Sequence, residues 1–546
     1  MGLGQTLRDI KRLNQIADVL FKVEMGHVIE RLNLKSYLSF GNRLKKKQPK
    51  KNNLPVKMRM AMEELGGTFI KLGQLLSLRP DLIPDEYCKE FSKLQDNVKE
   101  FSYDEVKQTV ESELGKPISQ IFKRFDKKPL AAASVGQVHF GILKTGEKVA
   151  VKVQRPRMEE IFKTDIDILY HIAGLIEKYM PEIREYNPKG IVEEFEKYTT
   201  RELDYMTEGK NIDIFYNNFK NDNKVKIPKV YWEHTTKKVL TMEYIDGKRL
   251  GDDNFTKEKR KKVVKTVTDS LIRQVLDYGF FHADPHPGNI FLMKNDRVAF
   301  LDFGIVGKVD PTLRRKIEDI MIGLIDKDTN LVAKTVIDVG IVSRDTDVAQ
   351  LEKDLSEHLG EYHNLSLQQT SMTNFFNDAF TLGRKYRMKF PSNFVLLIKA
   401  MATAEGFDKK YYPEANFVKA CEPFVRRAMM RRTTPAYLIE SAKKTAWDFK
   451  NMVRGIPERA TRIMDLMERE EKKKIELEEL QIKKFKNEEN KRDYTTILAI
   501  IIGTIVIASS LMLISRLMLA AITGYSISMM LSILLLVHVK KKEEEQ

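Results

Sequence analysis

The side chains best suited to chemistry lie near the middle of this 546-residue chain, between His282 and Gly304. Asp284 and Asn289 flank a loop that contains proline and glycine, and Asp302 follows after a short strand-like run. Mg²⁺ prefers oxygen ligands, which the Asn289 amide and the Asp302 carboxylate can supply. Asp284 could then orient or deprotonate a nucleophile. The spacing therefore predicts Mg²⁺-dependent phosphoryl transfer, with Asn289 and Asp302 as the metal ligands.

A lysine-bearing strand precedes these residues. The β-branched run VAVKV, residues 149–153, places Lys152 where it could reach an α- or β-phosphate. Small residues come before this strand, and tiny side chains let backbone amides approach phosphates. Taken alone, the pattern also fits an ordinary strand with one exposed lysine. The predicted nucleotide-binding positions of this loop are Ala131, Ala132, Ala133, Ser134, Val135 and Gly136.

Two further segments contribute to the predicted site. Glu208 lies in a segment of helical composition and could pair with Lys152, although solvated helix faces carry many glutamates. Residues 225–247 read as two strands that end at Glu243 and Tyr244, where kinases place the hinge that holds adenine. The order VAVK, H-x-D-x-x-x-x-N and DFG is that of a protein kinase. We therefore predict ATP or ADP with Mg²⁺ as cofactors. The predicted catalytic residues are Asp284, Lys152 and Glu208.

These motifs need strands and helices in a fixed order, which predicts the fold. We expect an α+β protein with a two-lobed, protein-kinase-like domain between a helical N-terminal extension and a C-terminal transmembrane helical hairpin. The predicted boundaries are 1–125 for the helical extension, 126–245 for the N-lobe, 246–435 for the C-lobe, 436–493 for a charged helical stalk and 494–539 for the hairpin.

The C-terminal segment 494–539 is almost entirely apolar and about twice as long as one membrane-spanning helix requires. Arg516 interrupts it, which favours two helices, because a single helix would bury the arginine. Basic residues flank both outer ends, at 491–492 and 540–542, so the positive-inside rule places both in the cytoplasm. We expect a two-pass protein of the cell inner (plasma) membrane with its catalytic domain on the cytoplasmic side. The alternative is a buried helical hairpin of a soluble domain.

The net charge of +16 favours acidic partners. The sequence has no zinc-finger, RNP or KH signature, so we expect anionic membrane lipids as a partner and no nucleic acid. The two cysteines, Cys88 and Cys421, match no metal-binding spacing. We therefore expect neither a disulfide framework nor a zinc site.

Two departures from ordinary protein kinases narrow the resemblance to one family of kinase-like proteins. An alanine-rich loop replaces G-x-G-x-x-G, and the motif KLGQ lies in a helix before the core. With the motif ELD and the proline-containing loop after Asp284, residues 58–310 resemble the UbiB atypical kinase-like family (AarF-domain proteins). The two membrane helices also look like those of bacterial members.

The resemblance implies that the KxGQ helix folds across the site, with Lys71 against Glu202. The family's regulatory positions correspond to Lys71, Gln74, Glu202 and Asp204. Without the other motifs, Lys71 and Gln74 would read as surface positions of an amphipathic helix. An occluded site suits ATP hydrolysis or small lipophilic substrates better than phosphorylation of proteins.

The family supports the synthesis or handling of isoprenoid quinones and membrane lipids. The resemblance therefore implies a membrane-anchored, Mg²⁺-dependent ATPase that supports such biosynthesis. Lipophilic quinone or lipid precursors, and other membrane-associated biosynthetic enzymes, are the expected partners. Two alternatives remain: a phosphotransferase that acts on a lipid or small molecule, and a nucleotide-gated scaffold without catalysis.

Overall fold

The structure is a computed structural model. It describes residues 3–38, 42, 53–77, 79–80, 82–94, 100–133, 135–250, 255–342, 346–363, 371–432, 496–513 and 518–544, with isolated positions between 434 and 450. The chain forms two compact units, Met1–Arg431 and Arg432–Gln546. The segment predicted as a charged stalk, 436–493, lies almost entirely outside the described residues.

The described helices and strands are numbered here in chain order. The helices are α1 (Leu3–Lys22), α2 (Gly26–Arg31), α3 (Leu54–Leu65), α4 (Gly67–Ser77), α5 (Asp85–Phe91), α6 (Tyr103–Leu114), α7 (Ile118–Ile121), α8 (Met158–Tyr179), α9 (Pro188–Glu202), α10 (Tyr205–Phe219), α11 (Lys257–Arg273), α12 (Pro311–Asp326), α13 (Thr329–Val339), α14 (Val348–His363), α15 (Met372–Lys385), α16 (Ser392–Tyr411), α17 (Phe417–Arg432), α18 (Thr496–Leu513) and α19 (Met518–Glu544). The strands are β1 (Phe122–Phe125), β2 (Ala131–Ala132), β3 (Gly136–Leu143), β4 (Lys148–Gln154), β5 (Val225–Lys226), β6 (Val239–Glu243), β7 (Gly247–Arg249), β8 (Phe280–His282), β9 (Ile290–Met293), β10 (Val298–Phe300) and β11 (Val306–Lys308).

The first lobe is built on an antiparallel sheet in the order β1–β3–β4–β6, with β2 paired to β3. Along β4, Val149, Val151 and Val153 are fully buried in one cluster with residues of α6. Side chains of a strand alternate between its two faces. Lys152 therefore lies on the opposite face of β4, toward α10.

The segment 225–247 differs from its prediction as two strands that end together at the hinge. Only β6 joins the first sheet, whereas β5 pairs in parallel with β10 of the second lobe. Arg297 fixes β5 there, because its guanidinium donates to the backbone carbonyls of Asp222 and Val225 at 3.1 and 2.7 Å. Pro228 has no N–H to donate, which favours an end to the short strand.

The second lobe combines helices α11 to α17 with the sheet β5–β10–β9–β7 and the two-stranded ribbon β8–β11. His282 of β8 is paired with Val306 of β11. Because the ribbon is antiparallel, the loop that follows β8 lies beside the loop that precedes β11. These two loops carry Asp284 and Asp302.

The N-terminal helices share one apolar cluster with α8 and α9, which includes Leu13, Phe69 and Phe195. Gly73, the glycine of the KLGQ motif, lies where α4 comes closest to its neighbours. A Cβ at this position would lie 2.2 Å from Leu94 Cδ1 and 2.7 Å from the sulfur of Met62. Glycine therefore permits the packing that holds α4 in place.

Asp408 is a buried carboxyl between α11 and α16, with 2% of its surface exposed. The Thr268 hydroxyl lies 2.9 and 3.1 Å from its two oxygens. Burial raises the pKa of Asp408 to about 7, against the opposing effect of the Thr268 hydrogen bond, and Glu405 raises it further. At pH 8 the folded protein therefore contains a poorly solvated carboxylate.

We predict that Asp408→Asn stabilises the protein at pH 8. Between the ordinary pKa of 3.8 and about 7, the folded state holds a proton that the unfolded state has lost. Stability therefore falls as the pH rises through this window, by about 4 kcal/mol at most. The amide still accepts the Thr268 hydrogen bond and does not ionise. The midpoint of thermal unfolding, measured from pH 4 to 8, should increasingly exceed that of the wild type as the pH rises to about 7, and should stay above it up to pH 8.

Asp246→Asn, at an exposed position, controls for the general effect of removing one negative charge. Equal unfolding midpoints for Asp408→Asn and the wild type at pH 8 would contradict the prediction.

The second unit contains two apolar helices, α18 and α19, each long and apolar enough to cross a membrane. Ser510 Oγ and Tyr525 Oη lie 2.7 Å apart across the helix pair. A Cβ at Gly524 would lie 2.1 Å from Ser509 Oγ. Small residues at a close helix contact are typical of membrane helix pairs. The two apolar helices predicted for 494–539 are therefore present.

Candidate active site

A buried ion pair between β4 and α10 lies at the centre of the site. Lys152 Nζ is 3.0 and 2.8 Å from the Glu208 carboxylate oxygens and 3.7 Å from Asp302 Oδ1. Burial opposes the ammonium charge, but Asp302 and Glu208 outweigh it and raise the pKa of Lys152 well above its ordinary value. Burial also raises the pKa of Glu208, and the ammonium beside it counters that change. Because Nζ contacts both carboxylate oxygens, we take the pair as ionised.

His282 organises the loop that carries Asp284. Its Nδ1 accepts the backbone N–H of Asp284 at 3.1 Å, and its Nε2 lies 3.2 Å from the carbonyl oxygen of Leu301. Burial lowers the pKa of His282, so the imidazole is neutral. A neutral ring with its proton on Nε2 satisfies both contacts. The Gln274 side chain accepts the His282 N–H at 2.9 Å, so the backbone is also fixed before Asp284.

The Asp302-Phe303-Gly304 turn holds its carboxylate beside Lys152. Asp302 has a left-handed φ of 59°, and the Phe303 ring is fully buried with its centroid 4.8 Å from that of Phe215. Asn211 Nδ2 donates to the Phe303 carbonyl at 3.0 Å, which ties the turn to α10. The Lys152 ammonium lowers the pKa of Asp302, which keeps the carboxylate ionised.

Asn289 and Asp302 provide a donor set that fits Mg²⁺. Asn289 Nδ2 lies 3.5 Å from the Asp284 carbonyl, which leaves the amide oxygen available as a ligand. Asp302 Oδ1 accepts the Gly304 N–H at 3.3 Å, and 53% of the Asp302 side chain is exposed. One amide oxygen and one accessible carboxylate suit a hard cation that completes its coordination with phosphate oxygens and water.

The first residues of the alanine-rich loop form β2, a strand of the first sheet. Ala131 and Ala132 pair with β3, and the Ala133 N–H donates to the Gly136 carbonyl at 2.8 Å. A Cβ at Gly136 would lie 2.3 Å from the carbonyl oxygen of Val153, so the close approach of β3 and β4 requires glycine here. The three alanines are exposed and remain the positions of the loop that could cover a nucleotide.

Val135 anchors the end of the alanine-rich loop. Its side chain is buried in the cluster of the N-terminal helices, and its carbonyl accepts the Arg155 N–H at 2.7 Å. Ser134, also predicted to bind nucleotide, lies outside the described residues.

The predicted hinge at Glu243 and Tyr244 lies at the end of β6. The Glu243 N–H donates to the Lys229 carbonyl at 2.8 Å, and the Tyr244 N–H donates to the Lys148 carbonyl at 3.0 Å. The Glu243 carboxylate is also paired with Lys226 at 2.7 Å. Both hinge amides are thus used within the protein. An adenine contact at these two residues would therefore use their carbonyl oxygens.

Lys71 of α4 meets Glu202 at the end of α9. Its Nζ donates to Glu202 Oε1, and only 7% of the Lys71 side chain is exposed. The charge of Lys71 also lowers the pKa of Asp302, though less than Lys152 and His282 do. The structure thus brings Lys71 and Glu202 together beside the ion pair of β4 and α10.

The other two positions with regulatory roles implied by the resemblance serve local structure. Gln74 Nε2 donates to the Leu94 carbonyl at 3.3 Å. Asp204 accepts the Met206 N–H at 3.0 Å and caps the N-terminus of α10. Neither contact reaches the ion pair of Lys152 and Glu208.

The sequence analysis did not predict a second set of contacts near the site, which holds the segment that follows α4. Arg79 pairs with Glu194 of α9, which also accepts the Ser392 hydroxyl of α16 at 2.6 Å. Arg384 of α15 donates to the backbone carbonyl of Ile83 at 2.9 Å. Arg79 in SLRPDLIP was the available signal, but its partner Glu194 lies more than a hundred residues away in sequence. These contacts bind the N-terminal extension to both lobes.

We predict that Glu202→Gln loosens α4. Removing one partner of a buried ion pair leaves the other charge uncompensated, which costs about 3–5 kcal/mol in the fully buried limit and less here, because Glu202 is partly exposed. Amide hydrogen exchange of peptides within 67–77 should therefore be at least about tenfold faster than in the wild type.

Glu193→Gln is the matched control, since Glu193 lies on the same helix and forms an exposed pair with Lys197. If Glu202→Gln and Glu193→Gln exchange at the same rate in this helix, the contact does not hold α4.

The sequence analysis also did not predict Lys399 of α16 as a residue of the site. Its Nζ lies 3.3 Å from Asp284 Oδ1, and 19% of its side chain is exposed. The only signal in the sequence is a single cation within the apolar run FVLLIKAMA. No motif connects this position to the loop of Asp284, more than a hundred residues earlier.

Comparison with protein families gives two matches. Residues 93–336 match the ABC1 atypical kinase-like domain, and residues 355–416 match the UbiB helical domain. The first range contains β4, α10 and the loops of Asp284 and Asp302. The second contains α15 and α16 with Lys399.

Curated relatives resemble most of the chain. An uncharacterised protein of Synechocystis is 35% identical over 412 residues, covering 74% of this chain and 70% of the relative. A probable protein kinase UbiB of Pseudomonas aeruginosa is 33% identical over 420 residues, covering 76% and 78%. The Arabidopsis thaliana protein named ACTIVITY OF BC1 COMPLEX KINASE 7, chloroplastic, is 34% identical, and the match covers 75% of this chain and 60% of that relative.

Among solved structures, the complex of Rv3197 with erythromycin from Mycobacterium tuberculosis matches with a TM-score of 0.44 and 23% identity. The match covers 65% of this chain and 94% of that one. The two domain matches and the extended similarity to proteins named UbiB agree with the geometry of the site. This chain therefore belongs to the ABC1/UbiB family of atypical kinase-like proteins.

Proposed function

We propose that the protein is a membrane-anchored, Mg²⁺-dependent ATPase that supports the synthesis or handling of isoprenoid quinones, of the ubiquinone type, or of other membrane lipids. The observation that carries the ATP chemistry is the arrangement around Lys152 Nζ. This atom lies 2.8 Å from Glu208 and 3.7 Å from Asp302. The antiparallel pairing of β8 with β11 sets the turn of Asp302 beside the loop of Asp284 and Asn289.

Each side chain has a role in the proposed reaction. Lys152, oriented by Glu208, binds phosphate oxygens of ATP. Asn289 and Asp302 would hold Mg²⁺, which when bound neutralises charge on the β- and γ-phosphates. Asp284 orients a water molecule whose oxygen forms a bond to the γ-phosphorus. The bond between that phosphorus and the bridging oxygen breaks, ADP keeps the electron pair, and the water proton passes through Asp284 to solvent.

The position of α4 favours hydrolysis over phosphorylation of a folded protein. Lys71 is bound to Glu202, and Arg79 to Glu194, so two ion pairs hold the extension against α9. A protein substrate would have to displace these buried contacts. Water or a small lipophilic molecule would not.

Two properties favour a membrane setting. The helices α18 and α19 are long and apolar enough to span a bilayer, and the net charge of +16 attracts anionic lipids. We propose the inner (plasma) membrane, with the catalytic unit on the cytoplasmic side. Quinone and lipid precursors are dissolved in that membrane, and other membrane-associated biosynthetic enzymes are the proposed protein partners.

ATP labelled at the γ-phosphate tests the proposed reaction. The full chain is incubated in anionic vesicles with a membrane lipid extract. We expect labelled inorganic phosphate as the product. Label in an organic-soluble lipid would instead identify a phosphotransferase. A cellular function that Asp302→Asn leaves intact would identify a scaffold, and either result would overturn the ATPase proposal.

A further inference from the structure

The loop that carries Asp284 lacks a cation for the transferred phosphate. Its sequence HADPHPGN, residues 282–289, contains no lysine or arginine. Phosphoryl transfer depends on positive groups around the γ-phosphate, because the transition state spreads negative charge over its oxygens. Lys152 is held by Glu208 beside Asp302, where it is suited to the α- or β-phosphate. A cation next to Asp284 has to come from another element.

Lys399 is located where such a cation is needed. Its Nζ lies 3.3 Å from Asp284 Oδ1, although its neighbours along α16, Ile398 and Ala400, are buried in the apolar core. The start of α16 is fixed to the ribbon strand β11, because Asn393 Oδ1 accepts the Lys308 N–H at 3.3 Å. The helix therefore holds this lysine against the loop.

The ion pair of Lys399 and Asp284 contributes little to the stability of the fold. Both side chains are partly exposed, at 19% for Lys399 and 35% for Asp284. A pair with this exposure contributes at most about 1 kcal/mol. An apolar residue would continue the buried face of α16 without the cost of desolvating an ammonium group.

We propose that Lys399 binds the γ-phosphate of ATP beside Asp284 and stabilises its charge during transfer. The inference rests on the proposed ATP chemistry. Without nucleotide, Lys399 pairs with Asp284. With ATP, its three N–H donors can bridge the Asp284 carboxylate and a γ-phosphate oxygen. Lys152 and Lys399 then contact the triphosphate from different lobes. Because Lys399 lies within residues 355–416, the UbiB helical domain contributes a catalytic residue to the kinase-like domain.

Lys399→Met and Lys399→Arg test the proposal in the full chain in anionic vesicles. We expect Lys399→Met to lower kcat for ATP hydrolysis about a hundredfold, as does removal of one charge-stabilising donor in other enzymes. Lys399→Arg keeps the cation and should recover part of the loss. Lys410→Met, an exposed lysine on the same helix, is the matched control and should hydrolyse ATP at the wild-type rate.

Nucleotide binding separates a contact with the γ-phosphate from a structural role. Lys399→Met should bind ADP as the wild type does but bind the non-hydrolysable triphosphate AMPPNP at least about tenfold more weakly, since only the triphosphate has a γ-phosphate. Equal losses for ADP and AMPPNP, or no loss for either, would overturn the proposal. These measurements need no turnover, so they test Lys399 even if the wild type fails to hydrolyse ATP.

Discussion

Asp302→Asn is expected to reduce ATP hydrolysis by about a hundredfold or more, because it removes the one charged ligand of the proposed Mg²⁺ site. The fold should survive. Asp302 is half-exposed, and asparagine tolerates the left-handed backbone that Asp302 adopts at φ 59°. The measurement is the rate of phosphate release by the full chain at saturating ATP, together with the midpoint of thermal unfolding.

Asp296→Asn provides a control with the same backbone conformation. Asp296 also has a φ of 59°, but it pairs with Lys259 at an exposed turn away from the ion pair of Lys152 and Glu208. This variant should hydrolyse ATP like the wild type. If Asp302→Asn and Asp296→Asn both retain full activity, Asp302 is not a metal ligand in the reaction.

Deleting residues 494–546 should move the protein from the membrane fraction to the soluble fraction. The deletion removes α18 and α19, and about 20 apolar residues per helix make membrane insertion effectively irreversible. Basic segments of the remaining chain can still bind anionic lipids, but salt screens that attraction. The distribution is therefore measured by sedimentation of membranes after a high-salt wash.

The matched control ends the chain at Val539, so that it loses only the charged tail of residues 540–546. We expect it to remain with the membrane pellet. Sedimentation of the 1–493 protein with salt-washed membranes would contradict anchoring by α18 and α19.

The arrangement around Lys152 was largely predictable because most of its residues belong to local motifs, whereas Glu208 was suggested only by its helical segment. VAVK specifies a strand, and the alternation of that strand sends Lys152 to the face opposite the valines. The spacing from Asp284 to Asn289, followed by DFG, requires two adjacent loops, which the ribbon β8–β11 provides. The two-lobed α+β class and the two apolar C-terminal helices follow from the same patterns.

The contacts made by α15 and α16 were not predictable in this way. Lys399 and Arg384 act through partners more than a hundred residues away, and a single sequence has no pattern that encodes such pairs. The prediction that β5 belongs to the first lobe was wrong for a similar reason. Val225 reads as part of the strand pair that ends at the hinge, but Arg297, from a distant turn, fixes its carbonyl in the second lobe.

The structural role of a residue can also differ from the role that its motif suggests. Asp204 belongs to the ELD motif, yet it accepts the Met206 N–H as a helix cap. Val135 belongs to the alanine-rich loop, yet its side chain is buried among the N-terminal helices. Composition and spacing locate such residues but do not give the direction in which their side chains point.

The most direct test of the central claim is steady-state release of phosphate from ATP by the purified full chain. It is measured with Mg²⁺ and with EDTA, in the presence and absence of anionic vesicles that contain a quinone-precursor mimic. Phosphate release should require Mg²⁺ because of the arrangement of Lys152, Glu208, Asp284, Asn289 and Asp302. It should increase with the vesicles because of the proposed membrane setting. No release of phosphate in any of these conditions would contradict the central claim.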